Sequence, residues 1–262
     1  MCKRIFYSIF IFLVVIAPLS AYSVAKRYFY QIKIYHFSTT EQENRLDSYL
    51  SSAYLPALHR AGIESVGVFK PIPDPAKTPL EKLIYVLIPF SSKDAIFELN
   101  AKLAKDQSYQ LAGAEYLAAA PNDPPYGRIE TILLNAFEKS PKPMLPLLSG
   151  PKKDRVYELR SYESPTEKLA ANKIRMFNDG DEIGLFKRLG FNAVFYGEVV
   201  AGSTMPNLMY MTTFNDRADR NKHWEAFGKD AQWKTLSALP EYQKNVSKNI
   251  SLFLYPTDYS DI

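Results

Sequence analysis

The sequence predicts an α+β protein made of two tandem ferredoxin-like halves, each β-α-β-β-α-β, whose sheet faces pair into an eight-stranded barrel with helices outside. Three observations predict it. The first is an internal repeat: "YFYQIKIYHF" (28–37) aligns with "KDRVYELRSY" (153–162) at an offset of 125, "LIYV" from Leu83 with "LMYM" from Leu208 at the same offset, and "KDQSY" (105–109) with "KDAQW" (229–233) at 124. The second is the order of hydrophobic periods within each half, strand, helix, strand, strand, helix, strand. The third is a consequence of that order. A four-stranded antiparallel sheet with both helices on one face leaves its other face bare, and two bare faces on one chain can cover each other.

Strands in the first half are expected at 28–37, 65–70, 83–90 and 128–137. Between the first two, a helix runs from Thr39 to about Ala61, because Leu46, Tyr49, Leu50, Ala53 and Ala57 recur at helical spacing on one stripe. Pro56 should kink it, since proline has no N–H and crowds the preceding turn. A second helix starts near Ser92, capped by Ser91 or Ser92. The other half repeats the plan with strands at 155–162, 193–200, 208–214 and 250–255 and helices from about Pro165 and from Asp216. "HRAGIESVGVF" (59–69) echoes "KRLGFNAVFYG" (187–197) at 128, so the second half has a longer first helix and a shorter following loop. The divisions read as 1–25 signal segment, 26–137 first half, 138–153 a linker rich in proline and lysine, and 154–262 second half.

Residues 1–25 have the layout of a signal peptide: Lys3 and Arg4, the apolar run 5–17, then small residues suited to cleavage near Ala21 or Ala25. An uncleaved anchor is the rival reading, although the run is shorter than the ~20 apolar residues a spanning helix needs. Export to the periplasm or cell surface fits a chain whose one cysteine, Cys2, would leave with the signal. The mature chain would then need no disulfide and could use neither a thiol nucleophile nor a cysteine metal site. Removing Lys3 and Arg4 leaves 30 basic against 28 acidic residues with the signs well mixed, which excludes a nucleic-acid stripe. After cleavage no membrane partner is expected, and self-association remains open.

Along "RVYELRSYES" (155–164), Tyr157 and Leu159 point one way and Glu158, Arg160 and Tyr162 the other. Tyr157 and Leu159 are expected under the helices, like Ile32 and Ile34 at offset 125. Glu158 and Arg160 are then expected inside the barrel, opposite Lys33 and Tyr35. With Tyr196, Glu198 and Tyr210 these residues form the expected interior set. It reads either as a small-molecule pocket of convergent charged and phenolic groups or as buried ion pairs joining the two sheets. In an enzyme, Glu158 would be the base, Arg160 would hold an anion or enolate, and Tyr196 would donate a hydrogen bond.

The second half also carries a resemblance. "YELRSY" (157–162), "LFKRLGF" (185–191), "VFYGEV" (194–199), "MPNLMYMTTF" (205–214), "HWEAF" (223–227) and "WKTL" (233–236) are similar to a NIPSNAP domain. The first half resembles it more loosely, through "YQIKIYHF" (30–37) and "LPALHRAG" (55–62). The resemblance implies the dimeric α/β-barrel group, in agreement with the repeat. That group holds oxygenases, haem proteins and binding proteins, so it implies no single chemistry.

Other motifs add little. Trp224 and Phe227 are three apart and form a helical stripe against the outer face of the sheet, which keeps His223 from the barrel interior and weakens a haem reading. Three scattered histidines offer no metal-ligand spacing, and neither a cofactor nor a metal is implied. The loop 201–207 reads as a pocket rim or a plain hairpin turn. Asn245 and Asn249 sit in glycosylation-like triplets that are common by chance. Two functions compete: an exported protein binding or converting a small organic molecule within the barrel, or a filled scaffold that associates with a partner protein.

Overall fold

The computed structural model describes residues 26–73 and 82–262, so the signal-like segment lies outside the described residues. Eight strands close into one antiparallel barrel: β1 (Phe29–Phe37), β2 (Gly67–Pro71), β3 (Lys82–Phe90), β4 (Arg128–Ala136), β5 (Val156–Glu163), β6 (Phe195–Ala201), β7 (Asn207–Phe214) and β8 (Lys248–Pro256). Around the barrel the order is β1-β3-β2-β8-β5-β7-β6-β4. Each run of four therefore has the same internal order, β4-β1-β3-β2 and β8-β5-β7-β6. The runs join edge to edge through β2–β8, where Phe69 faces Pro256, and through β4–β6, where Asn135 faces Glu198. Closure leaves no unpaired edge strand.

The helices begin where their sequences supply an oxygen for the free N–H groups of the first turn. In α1 (Thr40–Tyr49) the Thr39 side chain accepts from Gln42 N–H, and in α3 (Lys93–Lys105) Ser92 accepts from Ala95 N–H. Thr166 and Asp216 do the same for α6 (Glu167–Asn178) and α8 (Arg217–Lys229). Shorter helices are α2 (Leu55–Arg60), α4 (Gln107–Ala112), α5 (Ala114–Leu117), α7 (Glu182–Arg188) and α9 (Ala231–Ala238). The disturbance at Pro56 takes a particular form. A π-helical turn, Leu50–Tyr54, separates α1 from α2, and Leu55 N–H reaches back to Leu50 C=O. Widening the turn is one way for the helix to absorb a proline that cannot donate and crowds the carbonyl four residues earlier.

The register corrects one detail of the repeat. Lys33 faces Val86 between β1 and β3, whereas its counterpart Glu158 faces Thr212 between β5 and β7. Val86 thus corresponds to Thr212 at 126, and the match of "LIYV" with "LMYM" at 125 is one residue out of step. In a strand one residue exchanges the two faces, which is why Met209 and Met211 point into the barrel while Ile84 and Val86 point out of it.

Three apolar clusters fill the molecule. One fills the barrel, with Tyr30, Ile32, Ile34, Tyr157, Leu159 and Leu254 among its members. A second lies between the β1–β3 face and α1–α4, and a third between the β5–β7 face and α6–α8. None of the helices among the described residues is long and apolar enough to cross a membrane.

Candidate functional site

The two faces of β5 are reversed relative to expectation. Tyr157 and Leu159 point into the barrel, and Glu158, Arg160 and Tyr162 point outward, beneath the helices. The same reversal holds on β1, where Lys33 and Tyr35 meet the helical layer through Tyr54 and Ile32 and Ile34 fill the interior. The physical reason is partner supply. The barrel interior is an apolar cluster, in which a charge set without a partner would cost several kcal/mol. The helices crossing the outside bring their own polar groups.

Glu158 is fully buried and has four donors. Its Oε1 accepts from Arg160 Nη1 at 2.8 Å and Arg220 Nη2 at 2.8 Å, and its Oε2 from Arg220 Nε at 2.9 Å and the Trp224 indole at 2.7 Å. Arg220 is therefore bidentate, the geometry in which a guanidinium binds a carboxylate best. Burial opposes ionisation of Glu158, but the Arg220 hydrogen bonds, the Arg160 and Arg220 charges and the indole outweigh it, holding its pKa below the ordinary value. A carboxylate with both oxygens doubly engaged and its proton affinity lowered is poorly suited to act as a general base. Glu158 serves instead to hold two arginines in place.

Arg160 spends one N–H on Glu158, one on the Tyr162 hydroxyl at 3.2 Å and one on Asn249 Oδ1 at 3.2 Å. A guanidinium has five N–H groups, so two remain. Its Cζ lies over the Trp224 ring, 4.3 Å from the centroid. Tyr162 is bonded to the Tyr210 hydroxyl at 2.8 Å. Burial raises the pKa of Tyr210 and Tyr196 above the ordinary phenol value, so both are neutral near pH 7.

A second buried pair adjoins the first. Lys173 on α6 donates to Glu182 Oε2 on α7 at 2.8 Å, with its ammonium 4.7 Å from the Phe177 centroid, 5.7 Å from Tyr162 and 5.8 Å from Trp233. Between the pairs opens a cleft of about 290 Å³, lined by Arg160, Tyr162, Lys173, Trp224, Trp233 and Asn249 among others. Its walls carry two cations, Arg160 and Lys173, against one anion, Glu182. The cleft can accept an anion with a flat apolar body.

Of the expected set, Glu158, Arg160 and Tyr210 come together here, joined by Tyr162. Tyr196 stacks on Tyr210 within the third cluster, 5.5 Å between centroids. Lys33 and Tyr35 lie on β1 under other helices, and Glu198 is exposed at the surface. The loop 201–207 is not part of the cleft wall. His223 is held at the edge of α8 by Asp219, with its Nδ1 2.8 Å from the Asp219 carbonyl. Among the described residues no cluster of three metal-ligating side chains occurs. Sequence reasoning missed Arg220, Lys173, Glu182 and Trp233. One signal was available: Arg220 and Trp224 are four apart on α8 and share a helix face.

Comparisons with known proteins bear on this region directly. Residues 157–261 match the NIPSNAP family. The chain carries a NIPSNAP domain. The matched span runs from the second residue of β5 to beyond β8 and holds every residue lining the cleft. No curated protein matches the chain. Among solved structures, a "putative monooxygenase" from Lactobacillus acidophilus shares 11% identity over 88% of this chain and 94% of its own, at a TM-score of 0.55. Another, from Fusobacterium nucleatum, shares 7% over 88% and 93%, at 0.56. An anthrone oxidase-like protein shares 11% over 90% and 93%, at 0.50. At such identities the likeness is one of fold.

Proposed function

We propose that this is a small-molecule-binding protein whose site is the cleft of the NIPSNAP domain, and that its ligand is a planar organic carboxylate. The observation that carries the proposal is Arg160, a buried guanidinium fixed by Glu158 and stacked on Trp224, with two N–H groups left over at the wall of an aromatic cleft. Preorganised donors of this kind bind an anion without losing side-chain freedom at the moment of binding. The reading moves the ligand from the barrel interior, which is filled, to the outside of the sheet. The names of the fold neighbours, two of them "putative monooxygenase" and one "anthrone oxidase-like protein", are compatible with a small organic ligand in this architecture.

The same proposal takes the chain as a tandem duplication of ferredoxin-like halves forming a pseudo-dimer of the dimeric α/β-barrel type. The identical strand order of the two runs supports it. Export, with loss of 1–25, is proposed from the signal-like segment alone.

The test is a thermal-shift panel of aromatic and unsaturated carboxylates paired with their amides. A ligand at a hundred times its Kd stabilises the folded state by about 2.7 kcal/mol. Carboxylates should raise Tm, amides should not, and Trp233→Ala should remove the effect. Equal responses to acid and amide, or none to any member, would sink the proposal and leave the filled-barrel scaffold as the better reading.

A further inference from the structure

The chain leaving each run of four strands straps across the edge of the other run. After β8, Thr257 N–H donates to Val68 C=O and Asp261 N–H to Val66 C=O. After β4, Phe137 N–H donates to Tyr196 C=O and Met144 N–H to Val194 C=O. Within each strap a serine closes a turn, Ser260 N–H to Thr257 C=O and Ser140 N–H to Phe137 C=O. The two hydroxyls then differ. Ser260 Oγ accepts from Val68 N–H at 2.9 Å and donates to Ile262 C=O at 2.6 Å. Ser140 Oγ is buried and has no hydrogen-bond partner.

Ser140 lies on the wall of a groove of about 480 Å³, which the strap roofs and α7 floors. Phe186, Phe191, Ile183, Met144 and Leu145 make it chiefly apolar. Lys139, Lys142 and Lys187 also line it; all three are exposed, and none forms an ion pair among the described residues. No aspartate or glutamate lines it. Leu145 and Leu147 on the roof are 63% and 86% exposed, apolar surface that a bound chain could cover.

We propose that this groove binds a long-chain fatty acid, its hydrocarbon tail beneath the strap and its carboxylate held by the lysines and the Ser140 hydroxyl. Charge selects this occupant. A second copy of the chain docked symmetrically on the patch would set lysine against lysine. An apolar groove with a cationic rim and a buried spare hydroxyl complements an amphiphilic anion.

The experiment is displacement of cis-parinaric acid from the purified chain by palmitate. Palmitate should bind one to one with a Kd of about 10 μM or tighter, and hexadecanol at least tenfold more weakly. Replacing Lys139, Lys142 and Lys187 together by Glu should weaken palmitate tenfold or more with Tm unchanged, and Ser140→Ala should weaken it about three- to tenfold. Trp233→Ala, in the other cleft, should leave palmitate binding intact, which separates this proposal from the carboxylate cleft. Absence of displacement, equal affinity for hexadecanol, or full affinity in the triple variant would each overturn it. So would co-sedimentation with anionic vesicles in preference to binding monomeric palmitate, or a dimer in sedimentation velocity that the triple variant abolishes.

Discussion

The outer faces of β1 and β5 occupy the same place in their runs of four strands, and they are built from opposite materials. Lys33, Tyr35 and Phe37 stand where Glu158, Arg160 and Tyr162 stand at an offset of 125. Phenols seal the first face. Tyr49 stacks on Tyr116 at 3.6 Å, bonds to the Tyr109 hydroxyl at 2.8 Å and lies 5.6 Å from Tyr54, while Tyr35 packs edge-on to Tyr126. Among the described residues Lys33 sits against rings, 5.5 Å from the Tyr35 centroid and 5.1 Å from Tyr54. On the second face every strand charge meets an opposite charge. The difference lies in the covering helix: α3 and α8, each 13 residues and aligned at 124, carry Ile96 where the other carries Arg220. One fold position therefore supports either a closed aromatic layer or a charged, open cleft, according to what the helix brings.

Removing the carboxylate should break this contrast most severely. Glu158→Ala leaves Arg160 and Arg220 without their shared anion and should cost about 3 to 5 kcal/mol in urea unfolding at pH 7. Because the folded pKa of Glu158 is lowered, its contribution is present above its ordinary value of 4.5 and lost as pH falls through the folded value. The gap between wild type and variant should accordingly narrow in acid. A gap that stays constant down to pH 3 would show that packing, and not charge, is what the variant removes.

The next largest effect has the opposite sign. Burial lowers the Lys33 pKa to about 8, below the 10.5 it has when unfolded. Below pH 8 the lysine is charged in both states and the folded protein bears the full desolvation cost; between 8 and 10.5 the folded state sheds its proton and the cost fades. Lys33→Met should thus stabilise by about 1 to 3 kcal/mol at pH 7, with the gain shrinking towards pH 10.5. Unfolding at pH 7 and pH 10 measures both values, and destabilisation at pH 7 would mean that the ring contacts outweigh desolvation.

Arg160→Ala sharpens the comparison from the other side. Glu158 keeps its bidentate Arg220 and the Trp224 indole, so the loss should be only about 1 to 2 kcal/mol despite the burial of Arg160. A cost equal to that of Glu158→Ala would mean that Arg160, rather than Arg220, carries the network. Smallest is Tyr109→Phe in the sealed layer, which removes one phenol hydrogen bond and should cost about 0.5 to 1.5 kcal/mol by the same measurement.

Strand and helix placement was legible in the sequence because it rests on local periods and caps. Thr39, Ser92, Thr166 and Asp216 have short side-chain oxygens that satisfy the first turn wherever the helix later packs. Leu46, Tyr49, Leu50, Ala53 and Ala57 are all buried, as one stripe at helical spacing requires. The candidate site was only half legible. Glu158, Arg160 and Tyr210 were picked out as polar groups on alternating strands, whereas Lys173, Glu182 and Trp233 lie on helices whose approach to β5 no local pattern encodes.

By itself, then, the sequence determined the eight strands, their covering helices and the two-faced character of β5. It did not determine which face of β5 turned inward. Alternation states only that two sets of side chains point in opposite directions. The choice between them belongs to the closed barrel and the helical layer together. The barrel takes Tyr157 and Leu159 into its apolar cluster, and the outside accepts Glu158 because α8, 62 residues further along the chain, brings Arg220 within 2.8 Å. That pairing costs nothing in local conformation and leaves no local trace, so tertiary structure alone decided it.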